Sequence, residues 1–216
     1  MAYQTIVFDL DGTLTDPYPG ISKCIAHALE KMKAPALDPL TLASFIGPPL
    51  LQSFQETCGF SEKQADEALG YYRERFAIKG LYENSVYTGI SELLRSLKNS
   101  GKTLAVATSK PTIFAEKILD HFQLAQYFTV IIGSNLDGSR NEKSDVIHEV
   151  LAQLNVVDKE SIIMIGDREH DIIGAQKEGI QSIGVLYGYG SVEEIEQTGA
   201  TFIVECVEDL LSILKV

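Results

Sequence analysis

Six short apolar runs punctuate the chain, at Thr5–Leu10, Thr103–Thr108, Phe128–Gly133, Ser161–Gly166, Gln181–Leu186 and Ala200–Glu205. Most are near-continuous in Ile, Val, Leu and Phe rather than alternating, the pattern of strands covered on both faces. From residue 89 onward they alternate with stretches of helical period. Ile90, Leu93, Leu94 and Leu97 share one helical face, with Gly101 as the stop. Pro111 suits a helix start and precedes the stripe Phe114, Ile118, Leu119 and Phe122; Val146, Ile147, Val150, Leu151 and Leu154 form another. Strand and helix in regular alternation predict βαβ units and an α/β fold with a doubly wound parallel sheet.

The interval between the first two strands differs. Residues 16–84 offer no strand pattern but carry amphipathic helices, one on Ile21, Cys24, Ile25, Ala28, Leu29 and Met32, another on Ala65, Ala68, Leu69, Tyr72 and Phe76. A crossover needs far fewer residues, so this stretch reads as a helical cap domain inserted after the first strand. The expected division is a core of residues 1–15 and 85–216 and a cap of residues 16–84.

The net charge of −12 disfavours binding to a nucleic-acid polymer or an anionic membrane. An anionic substrate would then need local positive charge, from a metal ion or a few placed lysines. The start, MAYQTIVFDLDG, lacks the basic opening of a signal peptide, and no apolar run nears the roughly eighteen residues that span a bilayer. Cys24, Cys58 and Cys206 are odd in number, far apart and without ligand spacing, so they read as buried thiols in a reducing cytoplasm.

Two carboxylates, Asp9 and Asp11, stand where the first apolar run ends. In extended chain, residues two apart point to the same side, their Cα atoms about 6–7 Å apart. The carboxyl edge of a parallel sheet, at a topological switch point, is where open α/β folds bind ligands. An ordinary Asp-Gly turn explains Gly12 but leaves Asp9 as an unpaired charge closing a buried run, which implies a cation. A second run ends in Asp167, with Asp171 four residues on. Either could cap a helix, yet two strands that both end in aspartate suggest a shared Mg²⁺ site of oxygen ligands. Thr108 and Ser109 close the second strand just before a helix start, offering hydroxyl and N–H groups to a phosphate. Lys143 opens a later helix, where its charge opposes the macrodipole, so it has a function there or is a solvated surface lysine.

The succession DLDGTLTD, VATSK, Lys143 and IGDREHD resembles the four motifs of the haloacid dehalogenase superfamily, and the resemblance spans essentially the whole chain. FIGPPL (residues 45–50) and VLYGYGS (residues 185–191) resemble its phosphoglycolate phosphatase and 5′-nucleotidase-like branch. The resemblance implies a Mg²⁺-dependent phosphatase acting on a small phosphorylated metabolite through an aspartyl-phosphate. Asp9 would be the nucleophile and Asp11 the general acid and base. Thr108, Ser109 and Lys143 would hold the phosphoryl group. Asp9, the Asp11 carbonyl and Asp167 would ligate the metal, and Asp171 would orient Lys143 or a metal-bound water. Covalent catalysis splits one hard hydrolysis into two easier steps, and metal plus lysine neutralise the equatorial oxygens. Asp11 must hold a proton part of the time, so its pKa should be raised.

Arg168 and Ser144 depart from the family pattern, which commonly has a small hydroxyl residue and proline there. Lys23, Arg73, Arg75 and Lys79 in the cap, and Arg140 near Lys143, are candidate anion contacts, although basic residues on amphipathic helices usually form the wet face. FIGPPL is either a substrate-facing loop or helix punctuation. A sugar-phosphate mutase on the same core and a non-catalytic metabolite-binding regulator stand as alternatives. A cytoplasmic monomer or weak homo-oligomer is expected, and the sequence does not name its ester.

Overall fold

The computed structural model describes residues 3–137, 139–140 and 142–215. The chain begins with β1 (Thr5–Phe8) and a two-residue β2 (Thr15–Asp16), then runs through helices α1 (Tyr18–Lys31), α2 (Pro39–Ala43), α3 (Leu50–Cys58) and α4 (Glu62–Phe76) to β3 (Ser85–Val86). There follow α5 (Ile90–Asn99), β4 (Thr103–Pro111), α6 (Thr112–His121), β5 (Val130–Ser134), α7 (Lys143–Leu154), β6 (Ile162–Gly166), α8 (Glu169–Lys177), β7 (Gln181–Val185), α9 (Val192–Thr198), β8 (Phe202–Val204) and α10 (Val207–Leu214). These elements form two compact units, one of residues up to Thr15 and from Val86 onward, the other Asp16–Ser85.

The larger unit is built on a six-stranded sheet in the order β5-β4-β1-β6-β7-β8. Each pairing is parallel, and Phe8 of the central β1 is in register with Val106 of β4 and Ile165 of β6. The runs of the central strands β1 and β6 are continuous because both faces are covered. On one face Val7, Ala105 and Met164 pack with Val146, Ile147 and Val150 of α7 and Ala175 of α8. Burying one large aliphatic side chain of this kind contributes about 1.5–3 kcal/mol. This packing fixes where α7 and α8 begin, and their first turns carry Lys143 and Asp171. Helix α5 stops where Gly101 takes a φ of 76°, as its sequence suggests.

The smaller unit is helical. Ile21, Cys24, Ile25, Ala28 and Leu29 of α1 are buried, as are Ala65, Ala68, Tyr72 and Phe76 of α4, and the two helices pack on each other. Met32 falls just past the end of α1 and is half-buried, outside the stripe expected for it. Glu83 holds both Arg75, at 2.7 Å, and Lys23, at 3.0 Å, so two candidate anion-binding cations are engaged within their own unit. In FIGPPL, Phe45 and Ile46 are buried and Pro49 immediately precedes α3. The cysteines are free thiols, but only Cys24 is buried; Cys58 and Cys206 are half-buried, because each lies at a helix end rather than on its inner stripe.

Candidate active site

The site follows from the central strand. Asp9 comes directly after β1, and its N–H donates to the Ile165 carbonyl at 2.8 Å, so the chain is still tied to β6 there. The register sets Ala107 and Gly166 beside Asp9, with Thr108 and Asp167 one step further along. Strand order reverses about β1, and ligands of open α/β sheets bind outside the carboxyl ends at such a point.

Lys143 is the first residue of α7 and is buried. Its Nζ lies 2.8 Å from Asp9 Oδ1 and donates to the Ala107 carbonyl at 3.2 Å. It also lies 2.8 Å from Asp171 Oδ1, at ion-pair distance but off the alignment of a hydrogen bond. Burial opposes the charge on Lys143, but the Asp171 and Asp9 carboxylates outweigh it and hold its pKa above the ordinary lysine range. The macrodipole cost noted from the sequence is met by these two acids. Room for the stem comes from α8, where a Cβ at Gly174 would stand 2.9 Å from Lys143 Cγ.

Asp167 is fully buried at the tip of β6. It accepts the Tyr189 N–H at 2.8 Å and, weakly, the Thr13 hydroxyl at 3.4 Å. Among the described residues no cation lies at ion-pair distance from it. Burial pushes its pKa well up, and the Asp171 and Asp9 charges add to the push. Burial likewise raises Asp171, with Lys143 pulling the other way. Gly12 allows this approach: at φ 86° it turns the chain, and a Cβ there would lie 2.1 Å from Asp167 Oδ2.

Carboxylate oxygens of Asp9, Asp167 and Asp171 come within 4.8 Å of one another. Against three acids the only ammonium at ion-pair distance among the described residues is Lys143, which leaves two formal negative charges in excess in buried space. Such an excess is costly unless a cation joins it, and an all-oxygen donor set fits a hard divalent ion. The residues present therefore suit a metal. Asp171, expected to orient Lys143 or a metal-bound water, lies 2.8 Å from Lys143 Nζ and also offers an oxygen within 4.8 Å of those of Asp9 and Asp167.

The side chain of Asp11 lies apart from that triad. Its Oδ2 is 2.6 Å from Lys110 Nζ, both residues being buried, and its Oδ1 is buried without a hydrogen-bond partner among the described residues. Burial raises the Asp11 pKa, the Lys110 charge counters it, and Asp9 adds to the rise. Lys110 is the residue that sequence reasoning missed. Its signal was present, a lysine ending a buried strand two residues after Thr108. The β4–β5 pairing shifts register between Ala107 and Pro111, which frees this segment from a regular ladder. Thr108 is buried and its Oγ1 accepts the Lys110 N–H at 3.2 Å. Among the described contacts Ser109 is joined to β5, its carbonyl accepting from Ser134 Oγ at 2.8 Å, and not to the aspartates.

The departure at 168 and the candidate anion contact at 140 resolve simply. The Arg168 side chain donates to Glu194 Oε1 at 2.8 Å, while its N–H donates to Asp171 Oδ2 at 3.2 Å. The backbone of residue 168 meets the cluster directly, and the Arg168 charge tempers the rise of the Asp167 pKa. Arg140 spends its donors on the Gly133 carbonyl and Asn135 Oδ1, both at 3.0 Å.

The profile of the haloacid dehalogenase-like hydrolases matches residues 6–185. The chain belongs to this family. Among relatives of this hydrolase is a 5′-nucleotidase from Pseudomonas aeruginosa, 49% identical over 195 residues, covering 90% of this chain and 88% of that protein. Tyrosine-protein kinase PtkA of Mycobacterium tuberculosis is 41% identical over 200 residues, 93% of this chain and 68% of its own length. The crystal structure of a predicted phosphatase from Clostridium acetobutylicum superposes with a TM-score of 0.95 at 49% identity, covering the whole of both chains. The α/β architecture expected from the apolar runs is thus the hydrolase fold of this family. Among the described residues no helix is long and apolar enough to cross a membrane.

Proposed function

We propose that this haloacid dehalogenase-like phosphatase hydrolyses a small phosphate monoester, of the 5′-nucleotide or phosphoglycolate class, through an aspartyl-phosphate on Asp9 with Mg²⁺ as cofactor. One observation carries the reading: Lys143 bridges Asp9 and Asp171 at 2.8 Å, while Asp167 joins them with no cation of the described residues at ion-pair distance. Asp9, the Asp11 carbonyl and Asp167 would hold the ion, with the Asp171 carboxylate beside them; when bound it supplies charge neutralisation for an incoming phosphate. Asp9 Oδ1 is fixed by Lys143, so its other oxygen is the one free to attack phosphorus. The same ammonium meets the charge that spreads over the transferring group. Asp11 carries the proton traffic. Its Oδ2 is anchored on Lys110, leaving the unpartnered Oδ1 to give a proton to the leaving oxygen and later to take one from water. Burial favours the protonated form that the first of these steps needs.

The test is a phosphate-release screen with magnesium on a panel of monoesters, comparing wild type with Asp9→Asn. Release by wild type and none by a folded Asp9→Asn protein is the expected result. Wild-type inactivity across nucleotide, glycolate and aryl phosphates would remove the proposal. A second reading, transfer to a hydroxyl acceptor instead of water, has one observation in its favour, the kinase name of a 41% identical relative. Product analysis separates them, since hydrolysis gives inorganic phosphate and transfer gives a new ester, including the isomerised ester of a mutase.

A further inference from the structure

The loop after β7, residues 186–191, contributes no side chain of obvious catalytic type, yet it presses on the tip of β6. The Tyr189 N–H donates to Asp167 Oδ2 at 2.8 Å. A Cβ on Gly188 would stand 2.4 Å from Asp167 Cβ and 2.4 Å from the Gly12 carbonyl, and one on Gly190 would stand 1.9 Å from the Asp167 carbonyl. The Tyr187 hydroxyl donates to the Thr13 carbonyl at 3.0 Å, and its ring meets Tyr87 edge-on at 5.1 Å. One short segment therefore touches both halves of the aspartate cluster, the turn after Asp9 and the tip of β6.

The two oxygens of Asp167 are thereby made unequal. Oδ2 is held by a short, well-formed bond, whereas Oδ1 has only the 3.4 Å contact from Thr13. We propose that the loop of residues 187–190 is the positioning device for Asp167, fixing which oxygen it presents to the divalent cation and so setting cation affinity. This rests on the metal-site reading above. A buried carboxylate unpaired by any ammonium is otherwise free to turn about its terminal torsion, and each misaligned orientation subtracts from binding. Outer contacts of this kind typically govern about ten- to a hundredfold in metal affinity. Only glycine at 188 leaves the loop backbone near enough for the Tyr189 N–H to reach.

Calorimetric titration of the whole protein with Mg²⁺, without substrate, tests this independently of turnover. Gly188→Ala is expected to weaken Mg²⁺ binding about tenfold or more while the far-UV spectrum stays that of wild type. Tyr187→Phe, which removes one oxygen and no volume, is expected to weaken it about threefold. A folded Gly188→Ala protein with wild-type affinity overturns the proposal, because a loop that merely packs would alter melting and not affinity. Should Gly188→Ala fail to fold, Tyr187→Phe decides alone, and unchanged affinity there overturns it. If wild type takes up no Mg²⁺, the metal-site reading falls and takes this proposal with it. If wild type binds and both variants bind equally, only the loop's role falls.

Discussion

Replacing Lys143 by methionine keeps most of the unbranched stem and deletes the charge. At an effective dielectric of about 20, unit charges 2.8 Å apart attract by about 6 kcal/mol, and Lys143 makes two such pairs. Desolvating the ammonium cancels several kcal/mol of that, so the net loss should resemble that of other broken buried pairs, about 3–5 kcal/mol. For a chain of this size each kcal/mol lowers the melting temperature by about 2–4 °C, which gives a fall of about 6–20 °C in metal-free buffer. Magnesium should restore at least half of it, because the cation supplies the charge that the lysine no longer does. The carboxylates of Asp167 and Asp171 already have raised pKa values. They can relieve the excess charge by binding protons, so the deficit should shrink as pH falls from 8 to 5. The assay is thermal melting by circular dichroism in EDTA and in millimolar Mg²⁺. A fall below about 3 °C in EDTA, or an equal fall with and without magnesium, would show that Lys143 does not compensate a buried acidic cluster.

Lys110→Met removes the cation that opposes the burial-driven rise of the Asp11 pKa. The base form of Asp11 then becomes scarcer near neutrality, so the acidic limb of the kcat profile should move up by about 1 pH unit or more; an unmoved limb argues against Asp11 as the base. In the smaller unit, bonds from Arg75 foremost, then Lys23, hold the Glu83 carboxyl down to about 2 against an ordinary 4.5. A depressed pKa of this kind adds stability that is complete above about pH 4.5 and is lost as pH falls toward 2. Because Glu83 is partly exposed, with a side-chain accessibility of 27%, about 1–2 kcal/mol is expected rather than the full linkage value. Melting curves of wild type and Glu83→Gln should converge across that window, and a gap that persists at pH 2 would remove the ion pair as its cause.

The middle of the sheet was legible because its strands are buried on both faces, so that Ile6, Val7 and Phe8, or Ile162 to Ile165, read as unbroken apolar runs. The same burial made Asp9 and Asp167 conspicuous, since charge at the end of such a run demands a partner. Strands β2 and β3 were invisible, two residues each being too short to carry any alternation. Lys110 was overlooked for a different reason. Its meaning depends on the register shift in β4 and on Asp11 across the sheet, a contact separated by most of the chain's first half. The loop of residues 187–190 left even less trace, because what it offers Asp167 is a backbone N–H, which no side-chain pattern encodes.

The electrostatics of the edge also bear on the order in which ligands arrive. Where its acids are ionised, the cluster carries an excess of negative charge that repels a phosphate dianion, and among the described residues the one ammonium beside it is already shared by Asp9 and Asp171. A protein whose task was to bind a phosphorylated metabolite without chemistry would be poorly served by such a site, since removing one carboxylate would improve its affinity. Retaining all three makes sense if a divalent cation enters first and turns the local balance from repulsive to neutral, after which the anion can follow. The chain's overall charge of −12 sharpens this requirement, because attraction for the substrate must be generated locally. On this account substrate affinity measured with an inert phosphate analogue should be undetectable in EDTA and appear with magnesium, whereas an ordinary anion-binding regulator would hold the analogue in both.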